Sequence, residues 1–193
     1  MLNQYFNPIN AEGHYHSLGP EIYAQTKGKI THFFAAAGTG GTISGAGAYL
    51  KSKNPAIQVI AIDAANSYRS TGGFPKPYKV EGMGVDFDSP VLNYGVIDTF
   101  MPVTDDQAIS MLKKLSQTKG LLVGATSGAV AHAAYEYTQN KSLFDPSHDC
   151  AVMIFGDSGR AYLTKNFYTE PSAPALTEAV YQTEHMINQA LVK

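Results

Sequence analysis

The chain has 193 residues, of which 44% are hydrophobic and 16% charged, and its formal net charge is -2. This balance is typical of a globular protein that buries a core without disulfides, and it argues against nucleic acid as a partner. No apolar run reaches the roughly 20 residues of a membrane span, and the single cysteine, Cys150, has no internal disulfide partner. We therefore predict a cytoplasmic protein without a membrane partner, in which Cys150 is a buried core residue.

After a first stretch of about 15 residues that reads as irregular, the sequence predicts alternating helices and strands. Apolar runs bounded by turn formers predict strands over 30–37, 57–63, 96–103 and 150–155. Helices are predicted over 20–27, 42–54, 104–119, 129–138 and 176–191, with a further short one opened by the "GDSGR" loop. Residues 64–95 are rich in glycine, proline, tyrosine and serine and are predicted to form a loop region.

The helix over 104–119 has the clearest boundary signals in the sequence. Thr104 and Gln107 have the spacing of a capping box, and Gly120 is placed to end the helix. Its predicted buried face consists of Ile109, Leu112 and Leu115.

The alternation of strands and helices predicts a three-layer, doubly wound α/β fold. Its sheet should be mostly parallel, with helices on both faces. Ligands of such sheets bind at the loops that follow the carboxyl ends of the strands. Three loops follow strand-like runs and are expected to meet at one edge: 38–42, 124–128 and 156–159.

The loop after the first predicted strand has the composition of an anion site. Glycines allow several backbone N–H groups to approach one oxyanion, and the helix that follows adds a partial positive charge. Two common phosphate motifs do not fit, because Ile43 replaces the last glycine of G-x-G-x-x-G and no Gly-Lys-Ser/Thr ends the loop. The sequence therefore favours phosphate, although a tight turn without a ligand has the same composition.

Two other classes of site are weaker interpretations. The "GDSG" segment is similar to a serine-protease nucleophile loop with Ser158 as attacker, and His132 is the available base. However, His132 falls on a predicted helix as a half-buried structural histidine, and Arg160 breaks the G-x-S-x-G pattern of hydrolases. The six histidines are scattered, so no metal site is predicted, and "HYH" (14–16) reads as a polar loop.

Four segments together resemble the pyridoxal-phosphate enzymes of the cysteine synthase and cystathionine β-synthase family. They are "NQYFNPINAEGHYHSLGPEI", "GTGGTISG", "EGMGVDF" and "GLLVGATSGA" with "GDSGRAYLTK", in order from Asn3 to about Tyr168. The resemblance implies a pyridoxal-phosphate-dependent β-replacement on serine or O-acetylserine by a homodimer. The segment "DSGRAYLTK" favours a cystathionine β-synthase-like reaction of serine with homocysteine, and the alternative is a cysteine synthase that uses O-acetylserine and sulfide.

The resemblance also implies roles for individual residues. The residues that would hold the cofactor phosphate are Gly38, Thr39, Gly40, Gly41 and Thr42. Ser158 would face the pyridine nitrogen, where a hydroxyl leaves the nitrogen largely unprotonated and suits replacement at the β-carbon. Gln4 would contact the substrate carboxylate, and Gly82 and Gly84 would line the substrate side. The alternatives are a helix N-cap for Ser158, a solvated side chain for Gln4 and a turn for the glycine pair.

One feature of the family is not found in the sequence. The lysine that holds the cofactor as an imine lies in a Ser-x-Lys motif, which "SKN" (52–54) imitates poorly. Lys165 is nearest to a site loop but is expected to point away from the ring. We therefore expect a large domain over 1–168, a tail with a helix over 169–193, an absent N-terminal small domain, and a chain that is inactive alone.

Overall fold

The computed structural model describes residues 3–169, and a four-stranded sheet in the order β3-β2-β1-β4 lies at its centre. The strands are β1 (His32–Ala36), β2 (Gln58–Ala64), β3 (Thr99–Val103) and β4 (Ala151–Met153). All neighbouring strands are parallel. The four predicted strands are confirmed, with ends that differ by at most three residues.

Six α-helices and two short 3-10 helices surround or follow the strands in this part of the chain. The α-helices are α1 (Ile9–His16), α2 (Leu18–Gln25), α3 (Gly41–Lys53), α4 (Asp105–Lys119), α5 (Ala125–Gln139) and α6 (Asn166–Thr169). The 3-10 helices are Tyr94–Val96 and Gly159–Tyr162. Helix α5 begins four residues before its predicted start, and the helix predicted over 176–191 lies outside the described residues.

Helix α1 contradicts the prediction that the first 15 residues are irregular. It buries none of its residues fully and has no side-chain N-cap, so its sequence gives little helical signal. Its stability comes from close packing on α3, because a Cβ at Gly45 would lie 2.0 Å from the Ala11 carbonyl oxygen. Tertiary contact, rather than local propensity, forms this helix.

The sheet is covered on both faces, which confirms the predicted three-layer α/β fold. Side chains of β1 and β2 alternate between two separate clusters of buried residues. One cluster joins Phe33 and Val59 to α2 and α3, and the other joins Phe34 and Ile60 to α4 and α5. No helix among residues 3–169 is both long and apolar enough to span a membrane.

Helix α4 confirms its predicted ends but only part of its predicted buried face. The capping box forms in both directions between Thr104 and Gln107, and Gly120 has a φ of 66° after the last turn. Leu112 is fully buried together with Ala108. The other two predicted core residues are only half-buried, as is Cys150, and burial raises the pKa of the Cys150 thiol.

The strand order places two loops next to each other. The chain runs from β1 to β2 to β3 in one direction and then returns to place β4 on the other side of β1. The sheet therefore has a topological switch point between β1 and β4, where open α/β sheets leave a crevice for ligands. The loops that follow β1 and β4 border this crevice.

Candidate functional site

The loop between β1 and α3, residues 38–42, leaves three backbone donors free. The N–H groups of Gly38, Thr39 and Gly40 have no acceptor within residues 3–169. Gly40 is the N-cap of α3 and has a φ of 91°, which a glycine adopts without strain. The loop lines a cavity of about 450 Å³, called the inner cavity below. Free N–H groups at a helix N-terminus can bind an anion there.

Close packing requires the glycines of this loop. A Cβ at Gly38 would lie 3.0 Å from the Gly82 carbonyl oxygen, and one at Gly40 would lie 2.6 Å from Leu92 Cδ1. A Cβ at Gly41 would lie 2.0 Å from Asn10 Oδ1. Three different segments therefore hold the loop in one conformation, so the positions of its free N–H groups are fixed by packing within the protein.

The two hydroxyls of the loop are each contacted by a side chain from α1. Asn10 Nδ2 donates to Thr39 Oγ1 at 3.1 Å, and Gly41 N–H donates to the same oxygen at 3.3 Å. The hydroxyl hydrogen of Thr39 is thus left for a ligand. Thr42 Oγ1 lies 3.2 Å from His14 Nε2, and burial lowers the pKa of His14. The neutral tautomer that donates from Nε2 leaves the Thr42 hydrogen free as well.

The carbonyl oxygen of Ala37, just before the loop, joins two further segments to it. It accepts from Gly84 N–H at 2.9 Å and from Arg69 Nη2 at 2.9 Å. The guanidinium of Arg69 lies within 3.4 Å of the buried Asp63 carboxylate. Sequence reasoning missed Arg69, Asn10 and His14. Arg69 lies in a segment without periodicity, and Asn10 and His14 belong to a segment that was predicted to be irregular.

The predicted substrate residues lie beside loop 38–42. Gln4, Gly82 and Gly84 line the inner cavity together with Gly38–Thr42. Gly82 and Gly84 have φ values of 91° and 70°, so the turn itself requires glycine at both positions. Thr126 supports this turn, because its hydroxyl donates to the Glu81 carbonyl oxygen at 2.6 Å. Their contact with a substrate stays a prediction.

Ser158 is placed differently from the other predicted residues. It is exposed, it pairs with Val123 in an isolated antiparallel bridge, and it does not line the inner cavity. Its hydroxyl oxygen accepts from Arg160 N–H at 3.3 Å as the N-cap of a 3-10 helix. The structure therefore shows Ser158 in the capping role, and its contact with the pyridine nitrogen stays a prediction.

No lysine within residues 3–169 lines the inner cavity. Lys53 of the "SKN" segment ends α3, roughly 20 Å along the helix from loop 38–42. Lys165 lies between two helices, and its Nζ is 2.6 Å from Glu81 Oε1 at the cavity rim. The ammonium group of Lys165 is therefore engaged in an ion pair with Glu81. The expected orientation of Lys165 away from the ring stays a prediction.

The alternative site classes find little support in the geometry. Within the described residues, the Ser158 hydroxyl has no hydrogen bond to a histidine. His132 is a half-buried residue of α5, as predicted, and burial lowers its pKa. Among residues 3–169 no group of three or more acidic, histidine or cysteine side chains is arranged to hold a metal ion.

Comparisons with known proteins point to one family. A family model described as "Pyridoxal-phosphate dependent enzyme" matches residues 1–156. The chain is 38% identical over 165 residues to a Helicobacter pylori protein named cysteine synthase, which covers 86% of this chain and 52% of that protein. It is 34% identical over 165 residues to a Bacillus subtilis protein named O-acetylserine dependent cystathionine beta-synthase, with the same coverages of 86% and 52%.

A solved structure has a closely similar fold. The chain superposes on O-acetyl serine sulfhydrylase isoform 3 from Entamoeba histolytica with a TM-score of 0.85 and 26% sequence identity. The similarity covers 94% of this chain and 52% of the other. The chain therefore spans about half the length of the curated relatives it matches.

Proposed function

The chain belongs to the pyridoxal-phosphate-dependent enzymes, in the cysteine synthase and cystathionine β-synthase group, and we propose that loop 38–42 binds the cofactor phosphate. The observation that carries the proposal is the set of unpaired N–H groups of Gly38, Thr39 and Gly40 beside the inner cavity. Backbone donors at a helix N-terminus suit a phosphate dianion, and they require no lysine.

If loop 38–42 holds the cofactor phosphate, the residues in and around the inner cavity take the following roles. When bound, pyridoxal phosphate stabilises the negative charge that develops at the α-carbon of an amino acid. Thr39 and Thr42 donate their hydroxyl hydrogens to the phosphate, and Asn10 fixes the orientation of Thr39. Gln4 binds the substrate carboxylate. Ser158 donates its hydroxyl hydrogen to the pyridine nitrogen, because its capping contact uses only the oxygen, as acceptor from Arg160 N–H.

The proposed reaction is a β-replacement on serine or O-acetylserine. The sulfur of the acceptor forms a bond to the β-carbon, and the bond between that carbon and its oxygen breaks. The oxygen leaves with the electron pair as water or acetate, and the proton of the thiol or hydrosulfide is released to solvent or to the leaving group. The candidate acceptors are homocysteine and sulfide. The homodimer and the cytoplasmic location stay predictions.

We also propose that no lysine of residues 3–169 holds the cofactor as an imine. The reason is that none lines the inner cavity and the ammonium of Lys165 is paired with Glu81. This chain by itself should then bind the cofactor phosphate without covalent attachment and without turnover, since no amine is placed to move the α-proton.

Borohydride reduction tests the covalent part of the proposal. The native protein is incubated with pyridoxal phosphate, reduced and analysed by mass spectrometry of its peptides. Turnover is measured with serine plus homocysteine and with O-acetylserine plus sulfide. A pyridoxyl adduct on a lysine of residues 3–169, together with turnover, would overturn the assignment of the imine lysine. We expect this chain alone to show no adduct on those lysines and no turnover with either pair. The β-replacement itself is tested with the whole protein, for which turnover with neither pair would overturn it.

A further inference from the structure

Arg69 carries a positive charge that is almost completely buried, and the proposed function does not use it. Its side chain is 8% exposed and forms an ion pair with the Asp63 carboxylate, which is 1% exposed. The nitrogens Nε and Nη1 of Arg69 have no hydrogen-bond partner among residues 3–169. A buried ion pair with unused donors adds little to stability, because apolar side chains fill such a space at least as favourably. A role besides stability is therefore expected for this guanidinium.

Asp63 is held in place by donors from the turn that follows β2. Its Oδ2 accepts from the Ser67 hydroxyl at 2.5 Å and from the Ser70 hydroxyl at 3.1 Å. Its Oδ1 accepts from Ala64 N–H at 3.0 Å and from Arg69 Nη2 at 3.4 Å. A carboxylate that is fixed by three other donors keeps the guanidinium of Arg69 in one orientation.

The nitrogen that contacts Asp63 also donates to the peptide group that opens loop 38–42. Arg69 Nη2 lies 2.9 Å from the Ala37 carbonyl oxygen, which accepts from Gly84 N–H at 2.9 Å as well. The Ala37 carbonyl and the Gly38 N–H belong to one planar trans peptide group. The Gly38 N–H therefore points away from both donors, and it has no acceptor among residues 3–169.

The two donors on the Ala37 carbonyl also change the N–H of the same peptide group. They draw electron density toward the oxygen and away from the nitrogen, and one of them carries a full positive charge. Hydrogen bonds that are linked through one peptide group strengthen each other. The Gly38 N–H is therefore a stronger donor to an anion than a peptide N–H whose carbonyl is free.

We propose that Arg69 is a positioning residue, which orients and polarises the peptide group between Ala37 and Gly38 for anion binding; the inference rests on the proposed phosphate binding by loop 38–42. Arg69 does not line the inner cavity, so its charge acts on the anion through this peptide group and without contact. Asp63 fixes the guanidinium in the orientation that the donation requires.

The test uses the native protein with inorganic phosphate and compares Arg69→Met with the wild type. Arg160→Met is the matched control, because Arg160 is the other arginine of the sequence, is exposed and does not line the inner cavity. Arg69→Met leaves the Asp63 carboxylate buried without its cation, so the double variant Asp63→Asn/Arg69→Met is made as well. The measured quantities are the phosphate affinity, by titration calorimetry, and the amide chemical shifts of Gly38 without phosphate, by nuclear magnetic resonance.

We expect the phosphate affinity to fall about fivefold in Arg69→Met and in the double variant, as the loss of a charge-assisted hydrogen bond to the peptide predicts. The Gly38 amide nitrogen and proton should shift upfield in both, because they regain electron density. Arg69→Lys should recover part of both effects, since an ammonium can donate to the same carbonyl. Arg160→Met should keep the wild-type affinity and the wild-type shifts.

Wild-type phosphate affinity or wild-type Gly38 shifts in a folded variant that lacks the guanidinium and its charge would overturn the inference. The double variant decides the question if Arg69→Met alone does not fold. The Gly38 shifts are read without a ligand, so they test the role of Arg69 even if the wild type binds no phosphate. That result would overturn the proposed phosphate binding, whereas unchanged shifts would overturn this inference alone.

Discussion

Loops 38–42 and 156–159 follow neighbouring parallel strands, yet they differ in packing, in exposure and in the hydrogen bonds that their polar groups already make. The first packs against three other segments, and three of its N–H groups beside a cavity have no acceptor among residues 3–169. The second is largely exposed, and its Ser158 hydroxyl already accepts from Arg160 N–H. Backbone donors take their final positions as soon as the loop folds. A side-chain hydroxyl such as that of Ser158 takes its final orientation only when its ligand is bound.

The largest effect should come from Gly40→Val, which tests whether packing makes the first loop. The new side chain would have to adopt a φ of 91° and would approach Leu92 within 2.6 Å, including its backbone Cα at 2.8 Å. We expect a loss of about 3 kcal/mol in the free energy of unfolding and a phosphate affinity at least about 100-fold lower. Urea denaturation and titration calorimetry with phosphate measure these effects.

Gly120→Val is the matched control, because Gly120 also has a positive φ, of 66°, but a Cβ there meets nothing within 4 Å. It should carry the backbone strain without the collision, and it should bind phosphate normally. Binding is compared at a temperature at which circular dichroism shows both variants to be folded. Wild-type affinity in Gly40→Val would mean that the loop is a turn without a ligand.

A smaller effect is expected for Asn10→Ala, which removes the support of the first loop from α1. The variant loses the donation to Thr39 Oγ1 at 3.1 Å and to the Gln4 carbonyl oxygen at 2.8 Å. Phosphate affinity should fall about fivefold, which corresponds to about 1 kcal/mol. Asn140→Ala removes contacts to Ser142 far from the loop and should leave the affinity as it is. Equal effects of the two variants would contradict a supporting role of Asn10.

The pH dependence of stability should report the burial of His14 beside the first loop. Burial lowers the pKa of His14, so the unfolded chain binds a proton more readily than the folded one. The contribution of His14 is therefore present above its unfolded pKa of about 6.5 and is lost as the pH falls through its folded pKa. Urea denaturation between pH 7 and pH 5 should show a decreasing free energy of unfolding, with a shallower decrease in His14→Gln.

His132→Gln separates this burial effect from the loop itself. Burial lowers the pKa of His132 too, but this residue lies on α5 and does not contact Thr42. Both variants should flatten the pH dependence, and only His14→Gln should weaken phosphate binding, by about twofold. An identical phosphate affinity in the two variants would remove His14 from the support of the loop.

Ser158→Ala probes the second loop and should have the smallest effect on phosphate binding at loop 38–42. Losing the N-cap oxygen should cost about 0.5 kcal/mol of stability, and phosphate affinity should stay within about twofold of the wild type. If the hydroxyl is the pyridine partner, the visible absorption of bound pyridoxal phosphate shifts in Ser158→Ala and further in Ser158→Asp. An unchanged spectrum in both variants would leave Ser158 with its capping role alone.

The sequence predicted most of the fold because strong local signals marked it. The apolar runs of β1 and β2 are almost wholly buried, and the capping box of α4 forms as its spacing indicates. Helix α1 was not predicted, because it has no apolar stripe and depends on contact with Gly45 of a later helix. A pattern within eight residues cannot reveal a partner that lies about 30 residues away.

The backbone geometry of the candidate site agrees with the sequence analysis. Glycine content and position between a strand and a helix predict loop 38–42 as an anion site, and its binding of an anion stays a prediction. The supports of the loop were not predictable in this way, since Asn10 and Arg69 reach it from other segments and carry no spacing signal. Their residue types are also common in solvated loops, so only the fold distinguishes them.

The position of β1 between β2 and β4 has a consequence for the order in which the sheet assembles. His32 pairs with Gln58 on one side and with Ala151 on the other, and the second pairing closes a far longer stretch of chain. Because the β1–β4 pairing closes the longer loop, it should form more slowly than the β1–β2 pairing. For a flexible chain its loop-closure entropy costs roughly 1 kcal/mol more. The ladder with β4 also has only three residue pairs. Amide hydrogens of β4 should therefore exchange with solvent before those of β2, so the sheet opens first on the side that carries the Ser158 loop.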